Sequence, residues 1–221
     1  MSTVSRPTPG LVGRAAFAAA CFATVLAPVH ALARFATVDG AEDLESPAVR
    51  FWAEPAARSL HRLLDWSDPQ TVYVAYGRLW LPVLVALTVC AVAVRRHRPA
   101  VHGLELWGWR IAVPAYGLMT VSVFGDYWTP WMDQAFLLSI AAIPIGAVGS
   151  ALLGIALLRR GFRPRATGWL LVTWFPAIVI LSSLIALGAA LVPLAWAWGL
   201  AGRAGRADAA PAVQPPVASR V

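Results

Sequence analysis

The stretch that decides the fold is residues 135–165, AFLLSIAAIPIGAVGSALLGIALLRRGFRPR. Its first part, 135–158, is apolar and uncharged, and four arginines follow it directly. A run of roughly 20 apolar residues is long enough to cross the ~30 Å hydrocarbon core of a bilayer as a helix. Arginines beside such a run are typical of its cytoplasmic end. The stretch therefore predicts a transmembrane helix followed by a cytoplasmic loop.

The same alternation of apolar runs and arginine clusters extends over the rest of the chain. The sequence is 59% hydrophobic and 13% charged, whereas soluble proteins have roughly 45–50% apolar and about 25% charged residues. The net charge of +7 lies beside the apolar runs, so the lipid bilayer is the expected partner and nucleic acid is not. We predict an all-α, polytopic transmembrane bundle in the plasma membrane, with a cytoplasmic N-terminus.

Charge in the gaps sets the predicted topology, because short cytoplasmic loops are enriched in arginine and lysine. We expect about five spans and one amphipathic helix outside the membrane. Ser67-Asp68-Pro69 predicts a helix start just before the second span. The predicted segments are a cytoplasmic N-terminus (1–10), spans at 11–33, 72–94, 106–124, 135–158 and 169–200, an extracytoplasmic acidic loop (34–71) with an amphipathic helix (47–66), arginine-rich cytoplasmic loops (95–105 and 159–168), an extracytoplasmic aromatic and acidic loop (125–134), and a disordered tail (201–221).

Two of these segments have an alternative interpretation. Residues 11–33 are expected to be a retained helix, but Ala31-Leu32-Ala33 would also suit cleavage of a signal peptide. The run 169–200 is expected to be one long helix bent near Pro176 or Pro193, with Trp174 at one membrane interface. If it is a tight hairpin instead, the chain has six spans and its last arginines return to the cytoplasm.

The charged residue of most interest inside a predicted span is Arg78. Its depth should match that of Asp126 on the next span, so we predict an Arg78–Asp126 ion pair. The alternative is that Arg78 extends to the lipid headgroups. The loop around Asp126 also concentrates aromatic side chains, which suit either an interfacial belt or a grip on a cationic or sugar-like ligand.

The fourth span has small residues at every fourth position, namely Ala142, Gly146, Ser150 and Gly154. Such a stripe predicts close packing of another helix. No catalytic motif is found, and the four histidines have no spacing that suits a metal or haem site. We therefore expect no catalytic residues, no metal and no cofactor.

Residues 149–171, GSALLGIALLRRGFRPRATGWLL, carry the one resemblance to known proteins. This segment resembles a recurrent junction in small bacterial multi-pass proteins, of the kind found in actinobacteria, whose activity is not assigned. The resemblance implies a span, a basic turn and a second span, and it implies no catalytic residue.

These observations favour a non-enzymatic structural, regulatory or accessory membrane component, which contacts protein partners or forms a homo-oligomer. The alternative is a small oligomeric transporter, with prolines that break its helices near a transport path. A membrane enzyme ranks third, because no mid-bilayer base accompanies the serines of the spans.

Overall fold

The computed structural model describes residues 9–98 and 101–204, and every regular element in these two ranges is a helix. The predicted tail from residue 205 onward, and residues 1–8 of the predicted N-terminal segment, lie outside the described residues. The helices are α1 (Pro9–Phe35), α2 (Pro47–Ser59), α3 (His61–Leu64), α4 (Pro69–Arg78), α5 (Trp80–His97), α6 (Leu104–Trp128), α7 (Met132–Arg159), α8 (Arg165–Val172), α9 (Trp174–Leu184) and α10 (Leu191–Ala204), with 3-10 helices at Ala41–Glu45 and Leu187–Ala190.

Three helices are long and apolar enough to cross a membrane, and the number rises to four if α8 and α9 count as one bent span. The three are Gly10–Phe35, Pro69–His97, which combines α4 and α5, and Gln134–Arg159. Helix α6 is 25 residues long, but Arg110 and Asp126 make it less apolar. The prediction of an all-helical chain with several membrane-compatible helices is confirmed, while the count of five spans stays a prediction.

Capping at the start of α4 follows the sequence prediction. Asp68 is the N-cap, and its Oδ1 accepts a hydrogen bond of 2.9 Å from the backbone N–H of Thr71. Pro69 occupies the first turn, where its missing N–H costs no hydrogen bond. The predicted helix start at Ser67-Asp68-Pro69 is therefore confirmed.

The run after Arg165 forms two antiparallel arms and not the single bent helix expected over 169–200. Helix α9 turns by 63° from α8, and α10 then returns alongside α8. Thr167 Oγ1 donates to the carbonyl of Ala197 at 3.0 Å, and Trp174 Nε1 donates to the carbonyl of Ala190 at 2.7 Å. Trp174 is consequently fully buried within the bundle, and its expected place at a membrane interface stays a prediction. Two buried side chains that bond to the opposite arm favour the alternative of a hairpin over a single bent helix.

The first and last helices pack closely along their length. A Cβ atom added to Gly202 of α10 would lie 2.7 Å from the Cα of Gly13 in α1, and one added to Gly199 would lie 3.1 Å from the Cα of Phe17. Further along the pair, Trp196 Nε1 donates to Thr24 Oγ1 at 2.9 Å. Small residues at such contacts allow two backbones to approach without a large side chain between them.

The small-residue stripe of α7 lies in the interior of the bundle. Ala142, Gly146, Ser150 and Gly154 are all buried. A Cβ atom added to Gly146 would lie 3.3 Å from both Ala115 of α6 and Trp174 of α9, and one added to Gly154 would lie 2.6 Å from the carbonyl oxygen of Gly168 in α8. The stripe thus faces α6 on one side and the last helical hairpin on the other.

Candidate functional site

The two ends of the bundle have different chemistry. The arginine-rich end, which carries Arg98 and Arg160, contains a buried carboxylate. Glu105, in the first turn of α6, is 1% exposed. Arg98 donates to both of its carboxylate oxygens, and Arg160 Nη1 lies 2.8 Å from Oε2. Trp109 Nε1 donates to Oε1 at 3.3 Å. Glu105 therefore joins the segment after α5 to the segment after α7, at the arginine-rich end of the bundle.

Sequence reasoning did not identify Glu105 as a functional or structural residue. Its two arginines belong to loops that are far apart in the chain, so no local pattern links them. The available signal was a carboxylate in the first turn of a mostly apolar helix, directly after one arginine cluster and ahead of Trp107 and Trp109. Burying such a charge is costly unless it is paired.

At the arginine-poor end, four aromatic side chains from four helices form a hydrogen-bonded network. Trp80 Nε1 donates to Nδ1 of His30 at 3.1 Å, and Nε2 of His30 lies 3.3 Å from the hydroxyl of Tyr127. The Tyr127 hydroxyl lies 3.1 Å from that of Tyr73, whose ring stacks on His30 with centroids 4.9 Å apart. We refer to His30, Tyr73, Trp80 and Tyr127 as the aromatic network.

The network selects one tautomer of His30. The indole N–H of Trp80 can only donate, so Nδ1 of His30 must be the unprotonated acceptor. Nε2 then carries the proton and donates it to the Tyr127 hydroxyl. Both ring nitrogens are therefore occupied by protein partners, and the imidazole is neutral in this arrangement.

The backbone of α4 determines where Tyr127 lies. A Cβ atom added to Gly77 would overlap the Tyr127 ring, so only glycine fits at this contact. Arg78, the next residue, donates from Nε to the backbone carbonyl of Tyr127 at 3.0 Å, and its guanidinium lies 5.3 Å from the ring centroid of Trp128. Arg78 thus contacts the residues that follow Asp126 in α6, while the Arg78–Asp126 ion pair stays a prediction.

A cavity of about 430 Å³ extends from this end of the bundle into its interior. The aromatic network forms part of its wall. Its wall also includes Arg34, Asp39, Asp43 and Asp126 near the loops, and Leu84, Met119, Ile143 and Leu191 deeper between the helices. Volumes of about 300–1,000 Å³ are typical of small-molecule sites.

The serines of the cavity wall are bonded to backbone carbonyls. Ser122 donates to the carbonyl of Ala135 at 2.6 Å, Ser139 to Phe136 at 2.7 Å, and Ser182 to Val179 at 3.3 Å. A serine nucleophile instead needs its hydroxyl beside a general base. The hydroxyls of these three serines are therefore already engaged with the backbone.

The other histidines lie apart from the aromatic network. His61 Nδ1 lies 3.1 Å from the carbonyl of Arg58, and His97 Nδ1 lies 2.7 Å from that of Ala93. Over the ranges 9–98 and 101–204, no three His, Cys, Asp or Glu side chains come together in a group that would hold a metal ion.

The chain matches no protein-family model, no curated protein and no solved structure.

Proposed function

We propose that this chain is a multi-pass protein of the plasma membrane that acts as a non-enzymatic accessory component and presents a ligand-sized cavity at its arginine-poor end. The observation that carries the proposal is the state of the cavity wall. Both nitrogens of His30 have protein partners, and the serine hydroxyls donate to backbone carbonyls. A wall whose histidine nitrogens and serine hydroxyls are already engaged with protein partners suits binding better than bond cleavage.

The arrangement of the last helices supports six crossings instead of five. Because α10 returns antiparallel to α8, its arginine-bearing end meets the start of α1, where Arg203 lies 4.3 Å from the ring centroid of Phe17. Six crossings bring this end to the same side as Arg98 and Arg160, in agreement with the enrichment of arginine in cytoplasmic loops. The N-terminus would then also be cytoplasmic.

Helix α2 fits a role as an extracytoplasmic helix over the cavity end. It buries Val49 and Ala53 while Phe51 is 85% exposed. Trp52 Nε1 donates to the carbonyl of Leu184, the last residue of α9, at 2.8 Å. An amphipathic helix held in this way would lie in the membrane interface with its exposed aromatic side chain toward lipid.

Two experiments test the proposal. A reporter fused after Val221 should read cytoplasmic for six crossings, and an extracytoplasmic reading would restore the five-span topology. Affinity purification in mild detergent from the native host should recover the same protein partner in independent preparations. Recovery of the chain alone, or as a homo-oligomer that turns over a substrate, would contradict an accessory role.

A small transporter is the second candidate, and the break between α9 and α10 favours it. Irregular backbone at membrane depth is tolerated where it lines a cavity. Leu187 and Gly188, which belong to this break, line the 430 Å³ cavity. The two candidates differ in access to the cavity floor. In a protein without Cys21 and Cys90, Ile143→Cys, at a partly exposed position of the cavity wall, should react with an impermeant thiol reagent from the arginine-poor side only; reaction from both sides would favour a transporter.

A further inference from the structure

The cavity changes from polar to apolar with depth. Asp126 and Met119 both line it from α6, and they are separated by about 10 Å along the helix at 1.5 Å per residue. Leu84 of α5 and Leu191 of α10 lie in the same wall, together with Ile143 of α7. A ligand that fills this space must therefore have a polar end near the loops and an apolar end between the helices.

The charge at the mouth is predominantly negative. The charged lining residues are Arg34 and the three aspartates Asp39, Asp43 and Asp126. Arg34 already forms an ion pair with Asp43, with Nε 2.9 Å from Oδ2. The surrounding 3-10 helix adds acidic residues, so the field at the mouth attracts cations and repels anions.

The aromatic network favours the same sign of charge. The faces of tyrosine and tryptophan rings attract cations, and this attraction strengthens when water is excluded. Tyr73, Trp80 and Tyr127 all line the cavity. The guanidinium of Arg78 already lies over Trp128 at the same end of the bundle, which shows that this region accommodates a cation on an aromatic ring.

We propose that this cavity binds one small cationic amphiphile, with an ammonium group at the acidic mouth and an apolar chain on the floor formed by Leu84, Met119, Ile143 and Leu191. The proposal goes beyond the accessory role, because it names the ligand class, and it does not depend on the number of crossings. The aromatic network contacts the ligand at the junction between its head and its chain.

The test uses the full chain in lipid nanodiscs and octyltrimethylammonium as the probe, below its micellar concentration. Isothermal titration should show saturable binding with one site per chain. Octyl sulfate has the same chain and the opposite charge, and it should bind at least about tenfold more weakly, because repulsion replaces attraction at the mouth. Equal affinity for the two probes would overturn the charge assignment.

A matched pair of variants locates the bound chain. Ile143→Trp places an indole in the cavity, whereas Ile140→Trp makes the same change on α7 at a side chain that is 55% exposed and does not line the cavity. Excluding two or more methylenes should weaken binding by at least about tenfold in Ile143→Trp and leave Ile140→Trp unchanged. If both variants bind the probe like the wild type, the ligand lies elsewhere and the proposal is wrong.

A second pair tests the head group and checks folding. Asp39→Asn removes a charge from the mouth, and Glu42→Gln removes one from the neighbouring 3-10 helix outside the lining. Only Asp39→Asn should weaken binding of the cation, by about two- to fivefold for a solvent-screened charge. An equal loss of affinity in both variants would refute the placement of the ammonium group at the acidic mouth. The buried thiol of Cys90 should stay protected from thiol reagents in each variant used.

Discussion

The two arginines that meet Glu105 should contribute unequally to stability. The side chain of Arg98 is 18% exposed and donates two hydrogen bonds to the carboxylate, whereas that of Arg160 is 39% exposed. Removing one partner of a buried ion pair costs about 3–5 kcal/mol, so we expect about 3 kcal/mol for Arg98→Ala. For Arg160→Ala we expect a loss of stability of about 1 kcal/mol, because water can more easily take the place of the exposed Arg160 side chain beside the carboxylate.

Double-mutant cycles separate the two pairs from other effects of the substitutions. Glu105→Gln removes the charge while keeping the shape and an oxygen that accepts from Trp109. The coupling free energy should be about 2–3 kcal/mol for Glu105 with Arg98, and at most about 1 kcal/mol for Glu105 with Arg160. Arg50→Ala is the control, because Arg50 is paired with Glu54 at 3.7 Å on an exposed face; it should change stability by no more than about 0.5 kcal/mol.

The assay is equilibrium unfolding by SDS in mixed micelles, followed through the thiol of Cys90. This side chain is 1% exposed, so it reacts only when the bundle opens, and Cys21→Ala removes the exposed thiol that would react in the folded state. Equal coupling of Glu105 to the two arginines, or a larger value for Arg160, would refute the argument from burial and hydrogen-bond number.

Three further predictions concern other contacts. Gly77→Ala should displace the ring of Tyr127 and weaken octyltrimethylammonium binding. An unchanged affinity would show that the position of this ring does not affect binding of the cation. Ser150→Ala should cost about 1–3 kcal/mol in the SDS assay, because it leaves the buried hydroxyl of Tyr116 without the partner that lies 2.6 Å away; a cost near zero would contradict this. Hydrogen bonds from the first turn of α4 lower the pKa of the Asp68 carboxyl, so it stabilises the fold above its unfolded pKa. The stability difference between wild type and Asp68→Ala should therefore shrink as the pH falls below about 4, and a pH-independent difference would contradict the cap.

Features that depend on local sequence could be predicted. The apolar run 135–158 forms most of α7, because helical backbone satisfies every hydrogen bond within the segment. Asp68 and Pro69 start α4, because a side-chain acceptor followed by a residue without an N–H suits a helix N-terminus. The prediction of a buried stripe on α7 used the same kind of local regularity.

Features that depend on distant contacts could not be predicted. The hairpin after Arg165 is held by bonds from Thr167 and Trp174 to backbone carbonyls of the opposite arm, and periodicity carries no sign of such pairings. The aromatic network joins His30 to side chains of α4, α5 and α6, so its members appear unrelated along the chain. Glu105 escaped notice for the same reason, because its partners come from two separate loops.

The glycine contact between α1 and α10 has a consequence for biogenesis. During synthesis α1 is made long before α10, the helix that covers its small-residue face. Until Gly199 and Gly202 emerge from the ribosome, the face around Gly13 must be shielded by lipid, by the insertion machinery or by a chaperone. Nascent chains stalled before α10 should therefore stay associated with that machinery, and release should coincide with completion of α10.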